Sequence, residues 1–327
     1  MASIPFRNSL HLPSVVALWR LIITFCPDIV VCHSGHDSNI TGLTRAFLSG
    51  PVGHFSIIRQ KTYLLRKTKM FSLNRMCDVV VVLSGEMRAQ LIHNNCQQFI
   101  AVVPPGTDFA RLRHEAKRAL PEHIEVWLKT RAVAPVIVQV AMIRPEKGHH
   151  FMLRVLHRLK EEGRRFYWVI AGSGRQEDEA RLQTKIKSLG MEDRVLMCGL
   201  LSPVAPIYKV ASLMVMPFRN ESFGMALVEA AACGVPVMAS FVGGIPSVIQ
   251  SGLNGTLLPV DDETVWVNAL RAFFLMPEHM QSMAQQMQKD VESRYSINST
   301  TDKLLTLGKR YRYIRWGLES NDNVCDS

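Results

Sequence analysis

The sequence predicts an α/β protein built on two doubly wound parallel sheets, and three observations predict it. Short apolar runs bounded by turn residues alternate with stretches of helical spacing along most of the chain. The length of 327 residues suits two domains, each long enough to bury a core, at roughly 100–200 residues per domain. Hydrophobic residues make up 47% and charged residues 20% with no low-complexity tract, which excludes a disordered or fibrous chain.

The elements follow in order. Residues 13–31 are apolar but broken by Arg20, Pro27 and Asp28, and the longest clean run, 21–26, falls far short of the roughly 20 residues of a spanning helix. Arg20 inside that stretch, with no small-residue cleavage site after it, also speaks against a signal peptide. The segment reads as a core helix leading into a strand at 29–32. Further strands are expected at 79–83 and 99–103, the latter stopped by Pro104-Pro105-Gly106, with a helix over 86–93 between them. After a polar stretch the alternation restarts. Strands are expected at 136–140, 167–171, 194–198, 213–216, 235–239 and 256–258, with helices over 148–162 and 175–189. The second Rossmann-like domain is complete and the first is short. The expected division is an N-terminal domain over 1–115, a linker over 116–133, a C-terminal domain over 134–295, a last helix over 296–318 and a tail over 319–327.

Lys and Arg number 38 against 28 Asp and Glu, a net charge of +10, which points to a phosphate-bearing partner. Nucleic acid is set aside, because no recognition motif accompanies the charge. Seven cysteines are scattered without a CxxC pair, which is neither a disulfide framework nor a zinc site and fits a reducing cytoplasm. No metal ligand set is expected, and no DxD pair is present to hold a divalent ion.

The densest segment is Met216-Pro217-Phe218-Arg219-Asn220-Glu221-Ser222-Phe223-Gly224-Met225-Ala226-Leu227-Val228-Glu229-Ala230. A strand ends at Pro217 and a helix is expected to begin near Ser222. Gly224 leaves the backbone open where the helix starts, so free N–H groups and the helix dipole make a phosphate site. Glu221 and Glu229 stand eight residues apart, Glu229 about two turns into that helix, and can flank one elongated ligand. The plainer reading of this pair is a dipole-complementing acid and one solvated Glu. Phe241-Val242-Gly243-Gly244-Ile245-Pro246 forms a second glycine turn at a strand's carboxyl end, where open α/β sheets bind ligands.

The run ESFGMALVEAAACGVPVMASFVGGIPSVI resembles the E-x7-E signature of retaining glycosyltransferases of family 4, which have the GT-B fold. Arg144-Pro145-Glu146-Lys147-Gly148 is similar to that family's basic donor-phosphate loop. Ala171-Gly172-Ser173-Gly174 is similar to its second glycine turn, and the stretch from Asp193 to Gly199 to the strand and turn that hold the nucleotide base. The resemblance covers most of 134–262. It implies two Rossmann-like domains facing a cleft and a nucleotide-diphosphate sugar as co-substrate, with no metal or other cofactor. Catalytic roles fall on Glu221, His33 and Lys147. Donor contacts fall on Arg144, Lys147, Ser222, Phe223, Gly224, Met225, Glu229, Gly172 and Gly199. The family's arginine position is occupied here by Met142, and Arg144, two residues on, is expected to substitute. Front-face attack, with the leaving phosphate taking the acceptor proton, needs no dedicated protein base. A dinucleotide fingerprint would want glycine at 177, where Glu177 stands, and this argues against a dehydrogenase.

The first half resembles the family more weakly. His33 follows a strand and matches a histidine near the donor sugar, its plainer reading being a capped turn residue. Arg59 stands where relatives carry a strand-end arginine. Between 54 and 75 lie Arg59, Lys61, Arg66, Lys67, Lys69 and Arg75 with no acid, interleaved with Tyr63, Leu64, Leu65, Met70 and Phe71. Such a stretch suits an anionic membrane surface or a lipid diphosphate acceptor, or is a solvated helix face. Family members normally begin with a further strand, glycine loop, helix and strand, so the start reads as incomplete, or the N-terminal domain as abbreviated, or as completed by a partner chain.

The resemblance implies transfer of a sugar to a hydroxyl with retention. The acceptor is expected to be a glycan or lipid-linked glycan in lipopolysaccharide or other cell-surface polysaccharide synthesis. The expected location is cytoplasmic, with peripheral contact at the inner membrane. Two competing readings are a partner-dependent donor-binding subunit without activity alone and a GT-B sugar-nucleotide epimerase.

Overall fold

The computed structural model describes residues 11–63 and 70–317. Arg66, Lys67, Lys69 and the expected 319–327 tail lie outside the described residues. The chain forms two compact units, one holding residues up to Gly106 together with those from Asn298 onward, the other Thr107–Ile297.

The first unit runs α1 (Leu12–Phe25), β1 (Ile29–Cys32), α2 (Gly35–Ala46), β2 (Ser56–Lys61), α3 (Met70–Arg75), β3 (Val79–Val82), α4 (Gly85–His93) and β4 (Phe99–Val102). Its four strands pair in parallel in the order β1-β2-β3-β4. Serines set the helix starts. The Ser34 hydroxyl accepts from the Asp37 N–H at 3.2 Å while the Asp37 carboxylate accepts from the Ser34 N–H at 2.8 Å, and Ser84 caps α4.

Two expectations are corrected here. The basic stretch begins with β2, a buried strand between β1 and β3, so Arg59 and Lys61 are buried and form no part of an exposed face. Only Ile57 and Ile58 break its polar run, which is too little for an apolar strand to show in the sequence. The helix before β1 exists, but it is not a core helix. Of its large apolar residues only Val15 and Ile22 are buried, whereas Leu12, Val16, Trp19, Ile23 and Phe25 are exposed.

The second unit runs α5 (Phe109–Ala116), α6 (Glu122–Lys129), β5 (Val136–Val140), α7 (His149–Glu161), β6 (Tyr167–Ala171), α8 (Gln176–Ser188), β7 (Val195–Gly199), β8 (Leu213–Met216), α9 (Met225–Ala232), β9 (Val237–Ser240), β10 (Thr256–Leu258), α10 (Glu263–Leu275) and α11 (Pro277–Arg294). The 116–133 segment, expected as a linker, carries α6, whose Ile124 is fully buried. Six parallel strands lie in the order β10-β9-β8-β5-β6-β7, so the winding reverses between β5 and β8, which pair through Ile137 with Leu213 and Val138 with Met214. The loops leaving those two strands therefore flank the sheet's switch point at the carboxyl ends, where open α/β sheets bind ligands. Amphipathic α7 buries Phe151, Met152, Leu153, Val155, Leu156 and Leu159 in a core with Trp168 and Trp266.

The last helix, α12 (Ile297–Trp316), packs into the first unit. A Cβ on Gly308 would lie 2.3 Å from Ile29 Cδ1, so the missing side chain lets the helix lie close to β1. Tyr311 meets Phe99 with ring centroids 6.0 Å apart. Asp78, buried at the start of β3, accepts from Arg45 Nη2 at 3.1 Å, the Ile57 N–H at 2.7 Å and Arg315 Nη1 at 2.5 Å. One carboxylate thus ties α2, β2 and α12 together. Asp78→Ala leaves the buried Arg45 guanidinium uncompensated, and chemical denaturation is expected to show a loss of about 3–5 kcal/mol.

Candidate functional site

The loop after β5 ends in a 3-10 turn, Pro145–Lys147, followed by Gly148 at φ +70°. A Cβ on Gly148 would stand 1.9 Å from the Pro217 carbonyl oxygen, so only glycine lets this loop lie against the loop leaving β8. The Arg219 N–H donates to the Glu146 carbonyl at 2.8 Å across the same seam. Joined in this way, the loops bring Lys147 Nζ to 2.7 Å from Glu221 Oε2, both side chains about one-fifth exposed. The Lys147 ammonium also lies 4.1 Å from the centre of the Phe218 ring, and its carbonyl accepts from Gln139 Nε2 at 2.7 Å.

A second close approach fixes Glu221 from the other side. Gly243, at φ +59°, leaves no room for a Cβ beside the Glu221 carbonyl, and Gly244 none beside that of Ser222. The Gly244 N–H donates to the Glu221 carbonyl at 2.9 Å. Glu221 Oε1 accepts from the Phe223 N–H at 3.3 Å, so that amide is occupied. Gly224, at φ +99°, caps α9, and the first intrahelical bond is donated by Leu227. The Met225 and Ala226 amides precede it and point out of the helix start. The helix begins at Met225, not near Ser222, so Glu229 lies one turn into it rather than two. Its Oε2 accepts from the buried Tyr208 hydroxyl at 3.1 Å. Burial raises the Glu229 pKa, with Glu115 adding to the rise and the Tyr208 bond opposing it. Burial, with Glu229 beside it, holds the phenol of Tyr208 well above its ordinary range, so it stays a donor.

The remaining sites fall into place unevenly. Gly172 donates its N–H to the Gly199 carbonyl at 2.8 Å, and a Cβ on it would meet the Ala141 carbonyl at 2.0 Å. Its role is close packing of the two turns onto the β5 loop, and its amide is not free for a ligand. Arg144 is half exposed and 4.0 Å from Glu146, outside the Lys147–Glu221 pair, and Met142 is exposed beside it. His33 belongs to the first unit, exposed after β1, its N–H donating to Asp37 Oδ2 at 3.2 Å. Near it Arg59 donates to the Cys32 and Gln60 carbonyls, each at 3.2 Å. Tyr208 was not legible in the sequence. Gln139 was missed too, although it is the one polar residue in the run Val-Ile-Val-Gln-Val.

Five cysteines, 32, 77, 96, 198 and 233, are free thiols. The exception to the thiol reading is Cys26, which is disulfide-bonded. Among the described residues no three His, Cys, Asp or Glu side chains gather as a metal site, and no helix is long and apolar enough to cross a membrane.

Two parallel α/β units, the second with its loops meeting at the switch point, define the class as the GT-B type of glycosyltransferase fold. Solved structures of that fold match across both units. The glycosyltransferase from Rickettsia africae ESF-5 superposes with a TM-score of 0.80 at 17% identity, covering 95% of this chain and 84% of that one. Anabaena Alr3699/HepE in complex with UDP and glucose gives 0.73 at 18% identity, covering 93% and 83%. Residues 128–290 match the family model "Glycosyl transferases group 1". Among curated proteins, the D-inositol 3-phosphate glycosyltransferase of Saccharomonospora viridis is 30% identical over 218 residues, 64% of this chain and 49% of that protein. The enzyme of the same name from Actinosynnema mirum is 33% identical over 227 residues, 63% and 50%. The chain spans about half the length of these relatives.

Next to the site, His149 is buried at the start of α7 with neither ring nitrogen hydrogen-bonded. Burial first, then the positive charge of His150 and Lys147, lowers its pKa from 6.5 to about 4. Between those values the unfolded chain takes up a proton that the folded one refuses, so stability falls as pH drops below 6.5 and levels off below 4. Denaturant titrations are expected to show His149→Phe sparing about 2 kcal/mol of the loss that the wild type suffers between pH 7 and pH 5.

Proposed function

We propose that this chain transfers a sugar from a nucleotide-diphosphate donor to a hydroxyl with retention of configuration, using no metal. The observation that carries the proposal is the Lys147–Glu221 pair at the switch point, beside the start of α9. In the free protein each side chain holds the other. With donor bound, the ammonium turns to the pyrophosphate and neutralises charge as it builds on the leaving group, with the Met225 and Ala226 amides beside it. Glu221 then accepts from the sugar hydroxyls. Glu229, oriented by Tyr208, accepts from the ribose, and Arg144 serves the donor phosphate.

The acceptor in this proposal carries a phosphate. One feature supports it: the matched relatives are named D-inositol 3-phosphate glycosyltransferases. A lipid-linked glycan at the cytoplasmic face of the inner membrane, in polysaccharide synthesis, shares that group with free inositol phosphate.

Incubation with UDP-, GDP- or ADP-sugars, with each acceptor and with none, tests the reading. Acceptor-dependent release of nucleoside diphosphate is expected. Donor conversion without acceptor would instead indicate an epimerase, and donor binding without turnover a binding subunit. Lys147→Ala is expected to lower kcat by 10²–10³-fold, about the loss of one oxyanion-type donor. Glu229→Ala is expected to weaken donor binding by about ten- to a hundredfold, as for a hydrogen bond to a charged group. Unchanged kinetics in both would overturn the site assignment.

A further inference from the structure

A second cavity, of about 510 Å³, opens in the same unit among Arg131, Arg165, Tyr167, Asp193 and Arg194. Its residues precede β5 and β7 and precede or open β6, at the amino ends of those strands, whereas Lys147, Gly172 and Gly199 lie at or beyond the carboxyl ends of β5, β6 and β7. Five residues of strand separate the two ends, about 16 Å. The cavity is therefore not part of the switch-point site.

Its charge is unbalanced by construction. Elsewhere in this unit Arg154, Arg219 and Arg271 face the carboxylates of Glu263, Asp261 and Glu162. Two of the cavity arginines are held mainly by neutral groups instead. Arg131 donates from Nε to the Asp193 carbonyl at 3.0 Å and from Nη1 to the Trp127 carbonyl at 2.7 Å, with its guanidinium stacked 3.7 Å from the centre of the Trp127 indole. Arg194 donates from Nη1 to the Arg164 carbonyl at 2.6 Å and lies over the Phe166 ring, while its buried Nε has no hydrogen-bond partner. Arg165 is exposed at the rim and in no ion pair among the described residues. The single carboxylate is that of Asp193, 71% exposed and 3.8 Å from Arg194 Nε.

Carbonyls and aromatic faces fix a guanidinium's position without cancelling its charge, and they leave its outer N–H edge for a ligand. Three guanidiniums, two of them fixed in this way, against one solvated carboxylate match a dianion. We propose that this cavity binds a phosphate-bearing small molecule, its phosphate between Arg131, Arg165 and Arg194 and its remainder against the Tyr167 ring. The site is independent of the donor-site reading above.

Isothermal titration with pyrophosphate tests it on the full chain carrying Lys147→Ala, so that the switch-point loop contributes little. Saturable binding is expected to persist in that background, and adding Arg165→Glu is expected to weaken it at least tenfold. Arg165 has no ion pair to lose, so the fold should survive, as a matching unfolding midpoint would show. Adding Arg194→Gln is expected to weaken binding in the same direction. No saturable binding in the Lys147→Ala protein, or equal affinity with and without Arg165→Glu, would overturn the proposal. Because the readout is binding in a transfer-impaired protein, failure of sugar transfer would bear only on the donor site.

Discussion

The constraint on which the second unit's site depends is the approach of Gly148 to the Pro217 carbonyl. It leaves no space for a single methyl group, and it sets the separation between the loops leaving β5 and β8. A hydrogen bond from Arg219 to Glu146 and the glycine pair behind Glu221 complete the same seam. The opposite charges of Lys147 and Glu221 meet because backbone packing brings their loops together. The pair itself, about one-fifth exposed, would contribute little to holding them there. Stability resides in the glycines, which frees the charged side chains to exchange partners.

The second unit was far more legible in the sequence than the first. Its strands are continuous apolar runs, as expected of a sheet covered by helices on both faces, and each stands out against polar surroundings. The glycines were visible too, but their purpose was not. Gly172 looks like a ligand loop in one dimension, yet it serves a backbone contact with Ala141 and Gly199. In the first unit β2 escaped notice because Arg59 and Lys61 occupy buried positions, and charge ordinarily signals surface. The same bias made α1 look like a core helix, since its apolar content says nothing of how much of it finds a neighbour. Tyr208, brought to Glu229 from a separate turn, depends on tertiary geometry that no local pattern announces.

Charge in the second unit is distributed by position along its strands. At the carboxyl ends a lysine is matched by a carboxylate, and the pair is neutral overall. At the amino ends, guanidiniums are matched by carbonyls and aromatic rings, and the positive field persists. The excess of basic residues is thus concentrated in particular places rather than spread evenly over a solvated surface.

The first unit is discontinuous: α12 completes it only after the whole of the second unit has been traversed. Ribosomal synthesis delivers residues in order, so the 107–297 body has its full set of strands while the earlier sheet still lacks the helix that covers Ile29 and reaches Asp78. Until Arg315 emerges, Asp78 has only its local partners and the Ile29 face lies open to water. The earlier-made unit is therefore the later to finish, and nascent chains pass through a stage in which one body is complete and the other waits for its closing segment.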